Sequence, residues 1–275
     1  MSQRFHYGPW LAAAFLAASG LLAWKYFPRD ETPEPATAAA PATGPAPVLD
    51  PAPTAPADAY PIDAVPVLPD ATEAPLPALD QSDAEAMAAL AAAAGGADLG
   101  AFLRLEFLLP RLVATIDALP RSTVTQNVYA ARPVAGTLGV ATRDGGTWLD
   151  PGNEARYAAA VALFEAVDAR QLVSAYVRFY PLLQQAYRDL GVPDRQFNDR
   201  LVEVIDHLLA APTPAGPIAL VPVPDKPRWA FADPALEGAS VGHKAMIRLG
   251  PEQAARVKGK LRELRALLAG QRPAA

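Results

Sequence analysis

The amino-acid sequence predicts a mainly α-helical globular domain with a small β-hairpin or short strands, preceded by one transmembrane helix and a disordered linker. Three observations support this fold class: an apolar segment near the amino terminus, a proline- and alanine-rich tract after it, and apolar residues at helical spacing beyond the tract. The expected regions are a tail over 1–9, a membrane anchor over 10–27, a linker over 28–78 and a helical domain over 79–275.

The apolar segment over residues 10–27 has the length and borders of a membrane anchor. As a helix with about 1.5 Å per residue it covers about 27 Å, close to the hydrocarbon thickness of a bilayer. Trp10 lies at one border, and Trp24 and Tyr26 lie at the other, where aromatic rings favour the headgroup level. A cleaved signal peptide is the alternative interpretation, but the residues before Trp24 fit a cleavage site poorly.

The basic residues around this segment favour a domain on the outer side of the membrane. Arg4 precedes the segment, whereas Lys25 and Arg29 lie at or beyond its far end, so the local count is nearly equal. No lysine or arginine occurs over residues 30–103, and a stretch without basic residues meets little resistance to export. We therefore expect a single-pass inner-membrane protein with a periplasmic carboxyl-terminal domain. The absence of cysteine fits either compartment.

The linker over 28–78 is expected to be an extended, solvated tether. It holds fourteen of the thirty prolines and eight acidic residues. Proline fixes φ and removes a hydrogen-bond donor, and most of the other residues are too small to build a core.

The domain is predicted to contain helices separated by recognisable stop signals. Ser82 and Glu85 have the spacing of a capping box, which opens an alanine-rich helix that ends at Gly95 and Gly96. A turn over 143–146 separates two short strands. Further helices are expected over 98–119 with an interruption or kink at Pro110, over 151–167 with Asp150 as the N-cap, over 169–190, over 194–210, from Asp233-Pro234 onward and, after Gly250-Pro251, to about residue 269.

No familiar catalytic or cofactor motif occurs in the chain. CxxC, HExxH, GxSxG and a glycine-rich phosphate loop are all missing from the sequence. The domain over 79–275 carries 21 basic and 21 acidic side chains, and this balance argues against general nucleic-acid binding. We therefore expect no cofactor, no metal and no nucleic-acid partner, and we favour a protein that is not an enzyme.

A polar stripe in the helix over 194–210 supplies one set of candidate residues. Asp199, Glu203 and His207 are spaced four apart and share one face, with Asp206 adjacent. Three interpretations are open: a metal site, a protein-binding surface, or a solvated face with a Glu-to-His pair. The last is favoured because apolar residues occupy the opposite face.

Two further carboxylates are predicted to lie on a mostly apolar helical face. On an uninterrupted helix over 98–119, Glu106 and Asp117 fall nearly on one line. Buried carboxylates with raised pKa values suit acid and base work, for example in a hydrolase of a cell-envelope polymer. The favoured alternative is structural, with each carboxylate paired with an arginine such as Arg156, Arg170 or Arg178.

The final helix combines an apolar seam with basic flanks. Such a helix contacts anionic lipid or an acidic partner in one interpretation, and packs on its own domain in the favoured one. The flanking residues are Arg256, Lys258, Lys260, Arg262 and Arg265, around the seam of Val257, Leu261, Leu264 and Leu268.

Five consecutive blocks carry a family resemblance. They are VATIDALPR, LDPGNEARY, YPLLQQAYRDLGVPDRQFNDRLVEVIDHLLAAP, ALVPVPDKPRWAFADPALE and MIRLGPEQAARVKGKLRELRALL. Through these blocks the chain resembles, over about residues 76–275, the bacterial family known as domain of unknown function 3014. The resemblance implies an envelope protein with one amino-terminal membrane segment and a variable proline-rich spacer, and it implies no activity or catalytic residue.

Taken together, these features favour a non-enzymatic binding or scaffold module on a flexible tether. The expected partners are the membrane, through residues 10–27, and an envelope protein or polymer. The alternative is a hydrolase of an envelope polymer that uses the carboxylates named above.

Overall fold

Seven α-helices and two antiparallel β-hairpins make up the part of the chain that the computed structural model describes, residues 59–68, 75–124, 128–224, 226 and 228–270. The mainly helical fold class is confirmed. The helices are α1 (Asp83–Ala93), α2 (Leu108–Ala118), α3 (Asn153–Ala166), α4 (Ala169–Asp189), α5 (Phe197–Leu209), α6 (Pro234–Glu237) and α7 (Val241–Leu268). The strands are β1 (Val140–Arg143), β2 (Gly146–Leu149), β3 (Leu220–Pro222) and β4 (Trp229–Phe231).

The predicted membrane segment over 10–27 lies outside the described residues, as does the linker up to residue 58. Among the residues that are described, none of the helices has both the length and the apolar character needed to span a bilayer.

Helix α7 is the element on which three other helices pack. It contacts α3, α4 and α5 along its length, and Leu249, Val257 and Leu261 are buried in these contacts. Its backbone breaks at Gly250, where φ is 79° and ψ is 166°, directly before Pro251. The predicted separation of two helices at Gly250-Pro251 is therefore confirmed as a break between two halves of α7.

The start of α2 differs from the helix predicted over 98–119. Helix α2 begins at Leu108, after Phe107 with a left-handed φ of 55°. The Asp83 carboxylate accepts hydrogen bonds from the N–H groups of Phe107 and Leu108, at 2.8 and 2.7 Å. Pro110 therefore lies in the first turn, where its missing N–H costs no helical hydrogen bond. The cap comes from a residue far away in sequence, so local patterning did not reveal it.

Two other helix starts also differ in detail. The capping box predicted for Ser82 and Glu85 is wrong, because the Ser82 hydroxyl donates to the Leu79 carbonyl oxygen at 2.8 Å. Asp150 does not cap α3, which begins at Asn153. Its carboxylate instead accepts from the Gly152 N–H at 2.8 Å, in the turn before the helix.

The two hairpins pack side by side next to the first half of α7. Strands β1 and β2 are joined by Asp144 and Gly145 with φ of 52° and 73°, the left-handed pair that a tight type I′ turn requires. Strand β3 pairs with β4, and the Leu149 N–H donates to the Ile218 carbonyl oxygen at 2.8 Å, which links the two hairpins. The predicted turn over 143–146 is confirmed.

Residues 59–68, which the composition assigns to the linker, lie on the helical domain. We call them the docking segment. Val65 is 5% exposed and belongs to the main apolar core, and the Leu68 N–H donates to the Ser174 hydroxyl on α4 at 2.9 Å. The expectation of a solvated tether is wrong for this stretch, because a few apolar side chains among the prolines are enough to anchor it.

The break in α7 gives the first prediction. Alanine at Gly250 would have to adopt a conformation that is nearly restricted to glycine, and its Cβ would collide with the Glu154 carboxylate. We expect Gly250→Ala to lower the free energy of unfolding by about 2 kcal/mol or more. Gly259→Ala is the matched control in the same helix. It meets open space, so it should raise stability by about 1 kcal/mol. Urea denaturation of both variants checks this, and equal effects would contradict it.

Candidate ligand-binding site

A cavity of about 200 Å³ lies inside the helical bundle. Its walls come from α1, α2, α3, α4, α5 and the second half of α7, together with Leu99 and Leu103 between α1 and α2. Among the described residues that line it, Tyr176 alone carries a polar side-chain group. The cavity is therefore an apolar pocket that is partly open to solvent.

The walls of the cavity are the apolar faces that the sequence predicts for α5 and α7. Leu201 and Leu208 of α5 line it, and Leu264 of the final seam faces them. The void itself arises where helices present small side chains, such as Ala86 on α1 and Ala175 on α4. Periodicity identifies an apolar face, but it does not show whether the facing side chains fill the space between helices.

The cavity comes nearest to solvent at α1, α4 and α5. Its partly buried lining residues belong to these helices and include Leu90, Leu172, Tyr176 and Leu201. Burial is the main cause that raises the pKa of the Tyr176 phenol well above its usual value, so this hydroxyl stays neutral at physiological pH. The wall therefore carries no charge from this residue.

Asn198 connects this wall to the docking segment. It is fully buried, and its side-chain oxygen accepts a hydrogen bond from the Tyr176 hydroxyl at 3.2 Å. Its amide nitrogen donates to the carbonyl oxygens of Tyr60 at 2.8 Å and Leu268 at 3.3 Å. Sequence reasoning missed this residue, although an asparagine at the buried start of a helix is itself a signal of a satisfied polar contact.

The four residues of the polar stripe on α5 do not form one site. Asp199 accepts from the Tyr60 N–H at 2.8 Å, whereas Asp206 pairs with Arg265 on α7. Each member is bound to a different part of the chain. The other contacts are Glu203 with Arg195 at 2.5 Å and Arg200 at 3.3 Å, and His207 with the Ser240 hydroxyl at 2.7 Å.

The predicted pair of Glu203 and His207 is wrong, because each has the partners given above. The face itself is partly solvated, since the Glu203 and Asp206 side chains are 46% and 44% exposed. Within the described part of the chain, no cluster of three or more His, Cys, Asp or Glu residues has the geometry to hold a metal ion.

Glu106 and Asp117 lie in different surroundings. Glu106 is exposed before the start of α2, so the expectation of a shared apolar helical face is wrong. Asp117 is buried and pairs with Arg121 and with Arg200, whose Nε lies 2.8 Å from Oδ1. Asp117 is paired with arginines, as the structural alternative held, but not with the three arginines of α3 and α4 considered above. A carboxylate held between two guanidinium groups is poorly suited to act as a base.

Four of the five basic residues on the final helix contact their own domain. Lys258 and Lys260 donate to carbonyl oxygens just beyond the ends of α5 and α3, where the helix dipole favours a cation. Arg262 is exposed. The contacts are Arg256 with Glu165 at 3.0 Å, Lys258 with the Ala211 oxygen at 2.6 Å, Lys260 with the Val167 oxygen at 2.9 Å, and Arg265 with Asp206 at 2.9 Å.

The Asp117 pair gives the second prediction. Asp117 and Arg200 are 8% and 18% exposed at their side chains, whereas Arg121 is 63% exposed. Arg200→Ala removes the more buried partner, and we expect it to cost about 3 kcal/mol of stability. Arg121→Ala is the control and should cost less than about 1 kcal/mol because solvent screens this pair. Chemical denaturation at neutral pH measures both, and a reversed order would refute the assignment.

The contact between His207, at the end of α5, and His243, at the start of α7, gives the third prediction. The rings of His207 and His243 stack with centroids 4.0 Å apart, and burial first, then His243, lowers the pKa of His207 from its usual 6.5. Between the lowered pKa and 6.5 the unfolded chain binds the proton more readily than the folded chain. Stability should therefore fall as the pH drops from about 7 through this window. In His207→Gln the slope should be smaller, and an unchanged slope in urea titrations at several pH values would argue against this.

Comparisons with known proteins agree with the recognised resemblance. A family model described as "Protein of unknown function (DUF3014)" matches residues 108–265, which is more than half of the chain. Nothing matched among the curated proteins, and nothing matched among the solved structures. The chain therefore belongs to the family of proteins of unknown function DUF3014.

Proposed function

We propose that the chain is a non-enzymatic, membrane-tethered binding module of the cell envelope that holds the hydrocarbon chain of a lipid in the bundle cavity. The observation that carries this proposal is the volume of the cavity together with its apolar lining. The hydrolase alternative receives no support, because Glu106 and Asp117 do not converge on a common site.

The energetic cost of an empty cavity favours an occupant. Enclosed apolar cavities cost about 24 cal/mol per Å³, so about 5 kcal/mol is the upper limit for this partly open volume of about 200 Å³. That cost is a large part of the 5–15 kcal/mol by which a typical domain is stable. A smaller apolar cavity of about 150 Å³ in another protein stays dry and binds benzene. An apolar ligand of at least that size would recover much of the lost contact energy here.

The expected location of the domain makes a lipid the favoured source of the hydrocarbon. Under this proposal residues 10–27 anchor the chain in the inner membrane, with the domain in the periplasm. A flexible linker over 28–58 would then reach about 30 Å on average. The docking segment meets the start of α5 beside Asn198, close to the wall where the cavity comes nearest to solvent. The tether would therefore lead back to the membrane from this side.

The fourth prediction tests the occupant with a photoreactive fatty acid. Cells that express the full chain are fed a diazirine fatty acid, irradiated, and the purified protein is digested and mapped by mass spectrometry. We expect labelled peptides from the cavity wall, including those with Leu90, Leu172 or Leu201. Labelling of residues 10–27 reports the anchor separately. Label confined to residues 10–27 would contradict the cavity proposal, and no label there would contradict the anchor.

A matched pair of variants sharpens this experiment. Ala89→Leu places a larger side chain at a lining position, whereas Ala88→Leu makes the same change at an exposed position of α1. Filling the cavity should reduce labelling of the wall several-fold and raise thermal stability, because the new methyl groups replace the ligand. Ala88→Leu should leave both unchanged. Equal labelling in the two variants would place the fatty acid elsewhere.

A further inference from the structure

A second cleft, of about 340 Å³, lies between the hairpins, the start of α3 and the break in α7. Among the described residues, none lines both this cleft and the bundle cavity. We propose that this cleft binds a small organic carboxylate with an apolar body, and that Arg248 is the group that holds the carboxylate. The inference is independent of the proposed function, because it rests on different residues.

Arg248 is a buried cation that forms no ion pair among the described residues, and Glu237 is a negative charge close enough to act on it. The Nε atom of Arg248 is buried and has no hydrogen-bond partner in the described part of the chain. Its guanidinium lies 4.8 Å from the centroid of the Phe231 ring. The nearby Glu237 carboxylate is engaged by the Phe231 N–H at 3.0 Å and by Lys244 at 3.6 Å. A buried positive charge of this kind destabilises the fold unless an anion pairs with it.

The charge of Arg248 persists at neutral pH. Burial lowers the pKa of Arg248 to about 10, which is still well above the pH of the cell. The folded protein therefore keeps a desolvated positive charge beside the cleft. A planar guanidinium offers parallel N–H groups that match the two oxygens of a carboxylate.

A second buried donor lies in the same cleft. The indole Nε1 of Trp148 on β2 is buried and has no hydrogen-bond partner among the described residues. The Arg143 guanidinium lies over the indole ring, 5.3 Å from the ring centroid. Buried polar groups are nearly always hydrogen-bonded in folded proteins. Two orphaned donors in one cleft therefore point to an acceptor that the ligand supplies.

Much of the remaining wall consists of prolines and apolar side chains. Five prolines line the cleft, together with apolar side chains such as Ile218 and Met246. Proline has no N–H group and a fixed φ, so this wall supplies shape without competing donors. A ligand that fits it has an apolar body attached to its anionic group. The prolines are Pro151, Pro212, Pro214, Pro217 and Pro251.

The charge balance of the cleft favours a monoanion over a phosphate. Asp150 and Glu154 also line it, and the Asp150 carboxylate is already held by the Gly152 N–H at 2.8 Å. These two negative charges repel a doubly charged phosphate more strongly than a singly charged carboxylate. Arg143 also lines the cleft, but its guanidinium lies over the Trp148 ring, which leaves Arg248 to neutralise one negative charge.

Binding of simple probes to the full chain in a non-ionic detergent tests the proposal. Benzoate, acetate and inorganic phosphate are titrated at equal ionic strength, with ligand-observed NMR as the readout. We expect saturable benzoate binding that is tighter than acetate binding, because the ring contacts the proline wall. Absence of saturable benzoate binding, or tighter binding of phosphate, would overturn the assignment.

Variants separate ligand binding from a structural role. Arg248→Met keeps the length and apolar stem but removes the charge, and should weaken benzoate binding about tenfold or more. Its melting temperature without ligand should equal or exceed that of the wild type, since a buried charge that forms no ion pair among the described residues is removed. Arg262→Met, at an exposed arginine of the same helix, should change neither. Benzoate binding that survives in Arg248→Met would refute the proposal.

A milder variant covers the case in which Arg248→Met does not fold. Arg248→Lys retains the positive charge but loses the paired N–H geometry. We expect it to fold and to bind benzoate several-fold more weakly than the wild type. Trp148→Phe keeps an aromatic ring without the indole N–H, and a loss of a few-fold is expected there as well. Unchanged benzoate affinity in both variants would count against the cleft as the site.

Discussion

The burial of α7, interrupted at Gly250, is the constraint on which the rest of the structure depends. The first half of the helix carries Ile247 and Arg248 toward the hairpins, and the second half places Leu261 and Leu264 in the bundle. A continuous helix would keep these groups on one straight axis. The glycine at the break also allows the Glu154 side chain of α3 to approach the backbone closely. One helix thereby forms walls of two cavities with different chemistry.

Four basic side chains of α7 bind groups of α3, of α5 and of the residues just beyond these helices, so they do not form a free basic surface. Arg256 binds a carboxylate of α3, and Lys260 binds the carbonyl oxygen of the residue after α3. Lys258 binds a carbonyl oxygen just beyond α5, and Arg265 binds a carboxylate within α5. These contacts satisfy helix termini and carboxylates that would otherwise face solvent. They account for a concentration of basic residues at the carboxyl end of a domain whose total charge is balanced. Asp117 is likewise engaged within the domain, by ion pairs with Arg121 and Arg200.

Positions where the backbone itself adopts a left-handed or glycine-type conformation were predictable from the sequence, whereas helix caps and features that depend on distant partners were not. The Asp144-Gly145 turn and the break at Gly250 follow from conformations that few residues tolerate. By contrast, α2 is capped by Asp83, which is 25 residues before Leu108. The Arg200 partner of Asp117 is 83 residues away, and composition alone concealed the docking segment. The sequence indicated the apolar helical faces that line the bundle cavity. It indicated neither the bundle cavity itself nor the cleft beside the hairpins.

The two cavities explain why the class of ligand is harder to infer than the fold. A hydrophobic pattern requires only that apolar faces meet, whereas this cavity depends on the sizes of side chains from six helices. In the bundle, alanines such as Ala86 and Ala175 leave space between larger neighbours. In the cleft, Arg143 and Arg248 line a wall that also holds five prolines. Ligand identity therefore rests on a few residues whose neighbours are brought together only by folding. Arg248 is the clearest case, because its buried Nε has no hydrogen-bond partner within the described chain.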